Sequence, residues 1–271
     1  MSIFTPDGFL LPPDQLRAML DNGADPNEIY CPRHSDELVA KSAILEASQD
    51  PALLPQLRIL LADRRLSRHT ADYEGRTALH AAAMVDNAAA VNLLLDAGFS
   101  PLARDTYLNT PLHYACLAAT SQSLILLLSA GSDPNAINCR GRTPLRECLM
   151  VQTGSDGSKE LEDKVRLLLV MGADATLADE RGMTALHVAA GGGYTSVVRM
   201  LLARGADTWA RTTDGLRPVD IVNHHLTLPA SPKLRRNLLA NLVVLSEFDR
   251  QRLAARVVRV PRADTQIRPA M

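Results

Sequence analysis

Aromatic residues are scarce in this chain: of 271 residues only four are Phe, one is Trp and five are Tyr, although 46% are hydrophobic. Its apolar content is therefore almost wholly aliphatic, a composition that favours helices. Long apolar runs are missing too. The longest candidate, Leu238–Leu245, is eight residues broken by Asn241, far short of the ~18 residues of a membrane span. Met1–Leu10 has no basic stretch of the kind that opens a secretory signal. The four cysteines, at 31, 116, 139 and 148, have no C-x-x-C spacing. Neither a zinc knuckle nor a disulfide framework is indicated, and reduced thiols in an intracellular protein are expected. Net charge is nearly absent at −1, but it is unevenly spread: Lys233–Met271 holds nine Lys/Arg against three Asp/Glu. With 22% charged residues the chain is not of disordered composition. A prior of about 150 residues per domain gives one or two domains.

What the chain does have is a repeat. Thr77-Ala78-Leu79-His80, Thr110-Pro111-Leu112-His113 and Thr143-Pro144-Leu145-Arg146 start 33 residues apart. Thr184-Ala185-Leu186-His187 follows after 41, which is the same period plus eight residues, placed in the polar stretch Gln152–Lys159. Glycines at 98, 131 and 205 lie 21 residues after their threonines, and Gly172 lies at 29 because the insertion intervenes. Thr followed by Pro or Ala supplies a helix cap and a first-turn residue that needs no partner for its N–H. Apolar runs such as Leu124-Leu126-Leu127-Leu128 and Val165-Leu167-Leu168-Leu169 give faces that one helix pair cannot bury alone. The glycine after each run closes the helix with positive φ, and the Asp of Gly172-Ala173-Asp174 or Gly205-Ala206-Asp207 starts a turn.

These residues resemble the ankyrin repeat family over roughly residues 12–245. Weaker copies at Ser42-Ala43-Ile44-Leu45 and Arg217-Pro218-Val219-Asp220 extend the array. The resemblance implies an all-α solenoid of about six helix-turn-helix units with short β-hairpin loops. Residues 1–41 are expected to form an N-terminal capping unit and linker, 42–216 the central repeats with an insertion near 151–160, 217–260 a last repeat with a helical cap, and 261–271 a tail. Pro218–His225 and Pro232–Leu245 read as the last helix pair, with a further helical stretch Glu247–Val260 ended by Pro261. There Leu253 and Val257, four residues apart, give an apolar side to cover the end of the stack while the arginines face water. Few aromatics accompany those arginines, so nucleic acid is not the expected partner.

His80, His113 and His187 recur at one position of the unit. Equivalent positions in stacked units lie ~10 Å apart, the spacing of packed helices, too far to share one metal ion. The resemblance gives them a structural role, hydrogen bonding that ties neighbouring loops, and Gly98, Gly131, Gly172 and Gly205 are structural in the same sense. Gly191-Gly192-Gly193 lacks the strand and the G-K-[ST] tail of a phosphate loop, and adjacent His224 and His225 diverge on a helix. No nucleophile with its base can be placed, so no catalysis, metal or cofactor is expected. In the family, the hairpin tips and the inner face of the first helices contact partner proteins. Mapped by repeat position, the tips carry Tyr73, Glu74 and Arg76; Thr106, Tyr107 and Asn109; Cys139, Arg140 and Arg142; Glu180, Arg181 and Met183; Thr213, Asp214 and Leu216. The inner face carries Met84, Leu117 and Met150. Exposed Tyr, Met and Arg are enriched at interface cores. The expected function is protein binding. Its alternatives are inhibition of a bound enzyme such as a kinase, recruitment of substrates to a ubiquitin ligase or, third, catalysis in a polar pocket across the insertion. Leu108 stands where the family has glycine.

Overall fold

A computed structural model describes residues 2–5, 7–30, 41–150 and 158–258. The chain divides into two compact units, Met1–Ala185 and Leu186–Met271. The first opens with α1 (Pro13–Asp21) and a two-residue antiparallel pair, β1 (Ile29–Tyr30) with β2 (Lys41–Ser42). Helix pairs follow: α2 (Ala43–Gln49) with α3 (Leu54–Ala62), α4 (Ala78–Met84) with α5 (Ala88–Asp96), and α6 (Pro111–Leu117) with α7 (Gln122–Ser129). The next pair is α8 (Pro144–Cys148) with α9 (Ser158–Val170). First helices pack on first helices, α2 on α4, α4 on α6 and α6 on α8, while α1, α3, α5 and α7 line up behind them in the same order.

The repeated tetrapeptide explains how each first helix begins. Thr77 and Thr110 are extended cap residues, and the histidine three positions on accepts their backbone N–H at 3.1 Å, closing a reciprocal cap. Small residues then let neighbouring first helices approach: Ala78, Leu79, Ala81, Ala82 and Ala83 of α4 are essentially inaccessible. Leu94, Leu124, Leu127 and Leu168 of the second helices are fully buried, each worth about 1.5–3 kcal/mol of transfer free energy. Gly98, Gly131 and Gly172 all take positive φ at the ends of their helices.

Polar residues fix the register between successive pairs. Asn87 caps α5 by accepting from Ala90 and reaches back to the carbonyl of Ser48 at 3.1 Å. Asp86, in left-handed conformation at φ 56°, accepts from the Ser123 N–H at 3.0 Å and from the Thr120 hydroxyl, so one pair caps the second helix of the next. Asn135 holds the following loop from both sides, donating to Gly172 O at 3.0 Å and accepting from the Asp174 N–H at 2.7 Å. Buried Lys164 of α9 donates its ammonium to the carbonyl of Ala118 at the end of α6, where the helix dipole favours a cation.

The second unit contains α11 (Thr195–Ala203), α12 (Pro218–Thr227) and α13 (Pro232–Val258), preceded by α10 (Ala185–Gly191), whose first residue closes the first unit. Helix α13 packs on α11 and α12. It buries Leu238, Val244, Leu245 and also Asn241, whose amide donates to Ala190 O at 2.9 Å. His225 is held by Gly191 O at 2.8 Å, and Gly205 has the positive φ of its counterparts.

Pro232–Leu245 and the further stretch from Glu247 form one continuous helix of 27 residues. Ser246 does not break it, because its hydroxyl bonds the Leu242 carbonyl at 2.7 Å within the same helix. Two expectations are corrected. Leu253 does not cover the end of the stack: it is 52% exposed, and the helix is tied there by polar contacts instead, the Thr208 hydroxyl to Asp249 and Arg252 to Asp207 at 2.6 Å. Val257 lies outside the described side chains. Finally, Ser158, Lys159 and Glu160 of the expected insertion form the first turn of α9. Residues 151–157 lie outside the described residues, as do residues 31–40 of the expected linker and the tail from 259 on.

Candidate protein-binding face

Between α3 and α4, α5 and α6, α7 and α8, and α9 and α10, the chain turns through a tip that one side chain organises. Asp72 Oδ1 accepts the N–H groups of Glu74 and Arg76, both at 2.9 Å. Asp105 does the same for Tyr107 and Asn109 at 2.8 Å, Asn138 for Arg140 and Arg142 at 2.9 and 3.1 Å, and Asp179 for Arg181 and Met183 at 2.9 Å. These four residues were missed by the sequence reading, though their spacing follows the repeat and an Asx at the head of a turn is a recognisable signal. The expected β-hairpins reduce to single bridges, Ala71 with Thr77 and Ala178 with Thr184.

Neighbouring tips are joined by their main chains. The Thr106 N–H donates to Glu74 O at 2.9 Å, Cys139 to Tyr107 O at 2.8 Å and Glu180 to Arg140 O at 3.2 Å. Close approach of this kind is why Gly141, at φ 69°, is followed so tightly: a Cβ there would meet the Glu180 nitrogen at 3.0 Å. Leu108, at the equivalent place, nonetheless adopts φ 60°. A left-handed leucine costs about 1–2 kcal/mol, and at 44% exposure its side chain recovers little. Leu108→Gly is therefore expected to stabilise the chain by about 0.5–1 kcal/mol after the added freedom of the unfolded glycine is deducted. A raised urea midpoint checks this, and a lowered one would show that Leu108 packs usefully in the free protein.

The histidines link the tips to the helices behind. His80 Nε2 lies 3.1 Å from Asn109 O, His113 Nε2 3.1 Å from Arg142 O and, in the second unit, His187 Nε2 3.1 Å from Leu216 O. Because Nδ1 of His80 and His113 accepts a backbone N–H, Nε2 carries the proton and donates to the next tip. Burial lowers the pKa of both rings, more than their carbonyl partners raise it. At the same position Arg146 reaches Asp179 at 2.7 Å with only 6% and 3% of the two side chains exposed. Burial lowers the Arg146 pKa, and the Asp179 charge opposes it.

The partner-binding candidates distribute as follows. Tyr73 (75% exposed) and Tyr107 (53% exposed) project from the tips, with Thr106, Cys139, Arg140, Glu180 and Arg181 exposed beside them. Leu117 is exposed at the end of α6 and Met150 just beyond α8, and Met84 and Met183 are half-buried. Arg76 is engaged by Asp72 and Glu74, both at 2.7 Å, and Asn109 donates to Asp105 and accepts from Asn138. In the second unit Thr213, Asp214 and Leu216 are exposed on a turn closed by Thr212. Six candidates, Tyr107, Asn109, Leu117, Cys139, Arg140 and Arg142, surround one open cleft of about 260 Å³, with Tyr114 and Glu147 on its walls. Tyr114 donates its hydroxyl to Asp105 at 2.7 Å. Burial and that carboxylate raise its pKa, while burial of Asp105 is outweighed by hydrogen bonds from Tyr114, Asn109 and Tyr107 that lower its own. Among the described residues no group of three or more His, Cys, Asp or Glu is placed to hold a metal ion.

A family model for ankyrin repeats matches residues 44–138 and 117–212. The chain belongs to the ankyrin repeat family. The helix pairs are thus ankyrin units, a protein-interaction fold, and the match covers the tips from Asp72 to Asp179. Two curated relatives are similar over a shorter stretch: protein phosphatase 1 regulatory subunit 27 of Homo sapiens and of Mus musculus, each 42% identical over 59 residues. That stretch is 22% of this chain and 38% of each relative, so the similarity spans little more than a third of their length. Among the described residues no helix is long and apolar enough to cross a membrane.

Proposed function

We propose that this chain binds another protein through the tips and adjoining first-helix face of its first unit, and has no catalytic activity of its own. The observation that carries this reading is the cleft at Tyr107, Leu117, Arg140 and Arg142. It is set on tips whose main chains are bonded to one another, so its side chains are presented on a frame that needs no ordering when a partner arrives. Tyr and Arg in such a place are the types that dominate interface energetics. A partner is to be captured from source cells with the wild-type chain and its affinity measured again with Tyr107→Ala and Arg140→Ala. Each is expected to lose about tenfold or more in affinity, the 1.4 kcal/mol or so of a hot spot, while unfolding free energy stays within about 0.5 kcal/mol. Unchanged affinity in both variants would move the interface away from this face.

A regulatory role for that binding is the second reading, favoured over substrate recruitment by the likeness to a protein phosphatase 1 regulatory subunit. It is tested by adding the chain to a protein phosphatase 1 catalytic subunit and following phosphopeptide hydrolysis. A change in rate abolished by Tyr107→Ala supports it, and an unaltered rate at saturating chain removes it.

A further inference from the structure

The charges around the cleft say more about its occupant. Arg140 is exposed and makes no ion pair among the described residues. Arg142 reaches Glu147 only at 3.5 Å, and its Nε is buried without a hydrogen-bond partner among the described residues. Glu147 Oε1 is in turn shared with the Asn138 amide at 3.2 Å. The cleft thus has two guanidinium groups set against one carboxylate already divided between donors. Two of its other walls, Tyr107 and Leu117, are exposed apolar surface. Beside Tyr107 the chain keeps a leucine in left-handed conformation where the other tips have glycine, and strain of that kind persists at sites of recognition.

We propose that the cleft receives a carboxylate side chain, Asp or Glu, from an extended segment of the partner protein, with an adjacent apolar residue of that segment against Tyr107 and Leu117. This rests on the protein-binding reading above and adds the chemistry of the occupant. An incoming carboxylate supplies the counter-charge that Arg140 lacks and a second acceptor for the exposed part of Arg142, whose side chain is 21% accessible, in the charge-assisted geometry that guanidinium groups favour. Arg140 and Arg142 set against Glu147 leave the cleft a net charge of about +1, which one carboxylate neutralises and a phosphate, carrying nearly two charges, would exceed. The site therefore suits a single charge.

The test is selection of random twelve-residue peptides displayed on phage against the full chain, with affinities of the selected peptides then measured by fluorescence anisotropy. Peptides enriched in Asp or Glu next to an apolar residue are expected. They should bind Arg140→Ala at least tenfold more weakly and Arg140→Lys with a smaller loss, and replacing their acid by the amide should cost a similar factor. Thermal melting of the variants verifies that the fold is kept. Selected peptides that are neutral or basic yet weakened by Tyr107→Ala would overturn the acidic occupant and leave protein binding at this face standing. Acidic peptides indifferent to Arg140→Ala and Tyr107→Ala, or a selection that yields no binder, would overturn the proposal as well.

Discussion

Replacing Asp179 by Ala should cost about 3–5 kcal/mol of stability, the toll of leaving a buried charge without its partner. The carboxylate serves three donors at once: the guanidinium of Arg146 at 2.7 Å and the N–H groups of Arg181 and Met183. Removing it strands Arg146, two of whose nitrogens, Nε and Nη1, already lack hydrogen-bond partners among the described residues. The preceding unit shows how the loss is reversed. There His113 stands in the place of Arg146 and Asn138 in the place of Asp179, and that tip is closed without a buried cation. Arg146→His combined with Asp179→Asn is accordingly expected to recover most of the stability. Urea unfolding of the three proteins decides the matter. A single variant that loses less than about 1 kcal/mol, or a double variant no better than the single, would show that the ion pair is not what holds this tip.

Truncating His113 to Ala should lower stability by about 1–3 kcal/mol, since it leaves both the Thr110 N–H and the Arg142 carbonyl without their buried partner. The same residue gives stability a pH dependence whose direction is fixed by burial. The folded pKa of His113 and of His80 lies below the ordinary value, whereas the unfolded rings titrate near ~6.5. Below that pH the unfolded chain binds more protons than the folded one, so stability falls as the pH is lowered from about 6.5 and is independent of these rings above it. Protonation also removes the Nδ1 lone pair that accepts the cap N–H. Melting temperatures of wild type and His113→Ala between pH 8 and pH 5 should therefore converge on the acid side. A gap that widens toward pH 5 would mean that the folded protein stabilises the imidazolium.

Which features were legible in the sequence follows from the range of the interactions that make them. The caps at Thr77 and Thr110, the helix ends at Gly98 and Gly131 and the apolar second helices are set by residues within a turn or two, and repetition multiplied each signal. The long α13 was equally local. No Gly or Pro occurs between Lys233 and Val260, and one polar residue such as Ser246 does not interrupt a helix. The exposure of Leu253 was not local, because it depends on how far the helices beside α13 extend. The cleft stood half in view: Tyr107, Leu117, Arg140 and Arg142 follow from repeat position, but that they border one cavity does not. Nor does the pairing of Arg146 with Asp179, which joins residues 33 apart in sequence only because one unit lies against the next. The departure at Leu108 was plain from the alignment of tips. That the chain tolerates it in the left-handed region is a property of the folded backbone.

The bonds that join successive tips run from peptide to peptide, Thr106 to Glu74, Cys139 to Tyr107 and Glu180 to Arg140. Every residue but proline offers the N–H those bonds require. The spacing of the face is consequently indifferent to which side chains it displays, and a change at Tyr73, Tyr107 or Arg140 alters what is presented without altering where. A surface of this kind can exchange one partner for another by single substitutions, each acceptable to the fold, with the effects of changes two tips apart adding independently.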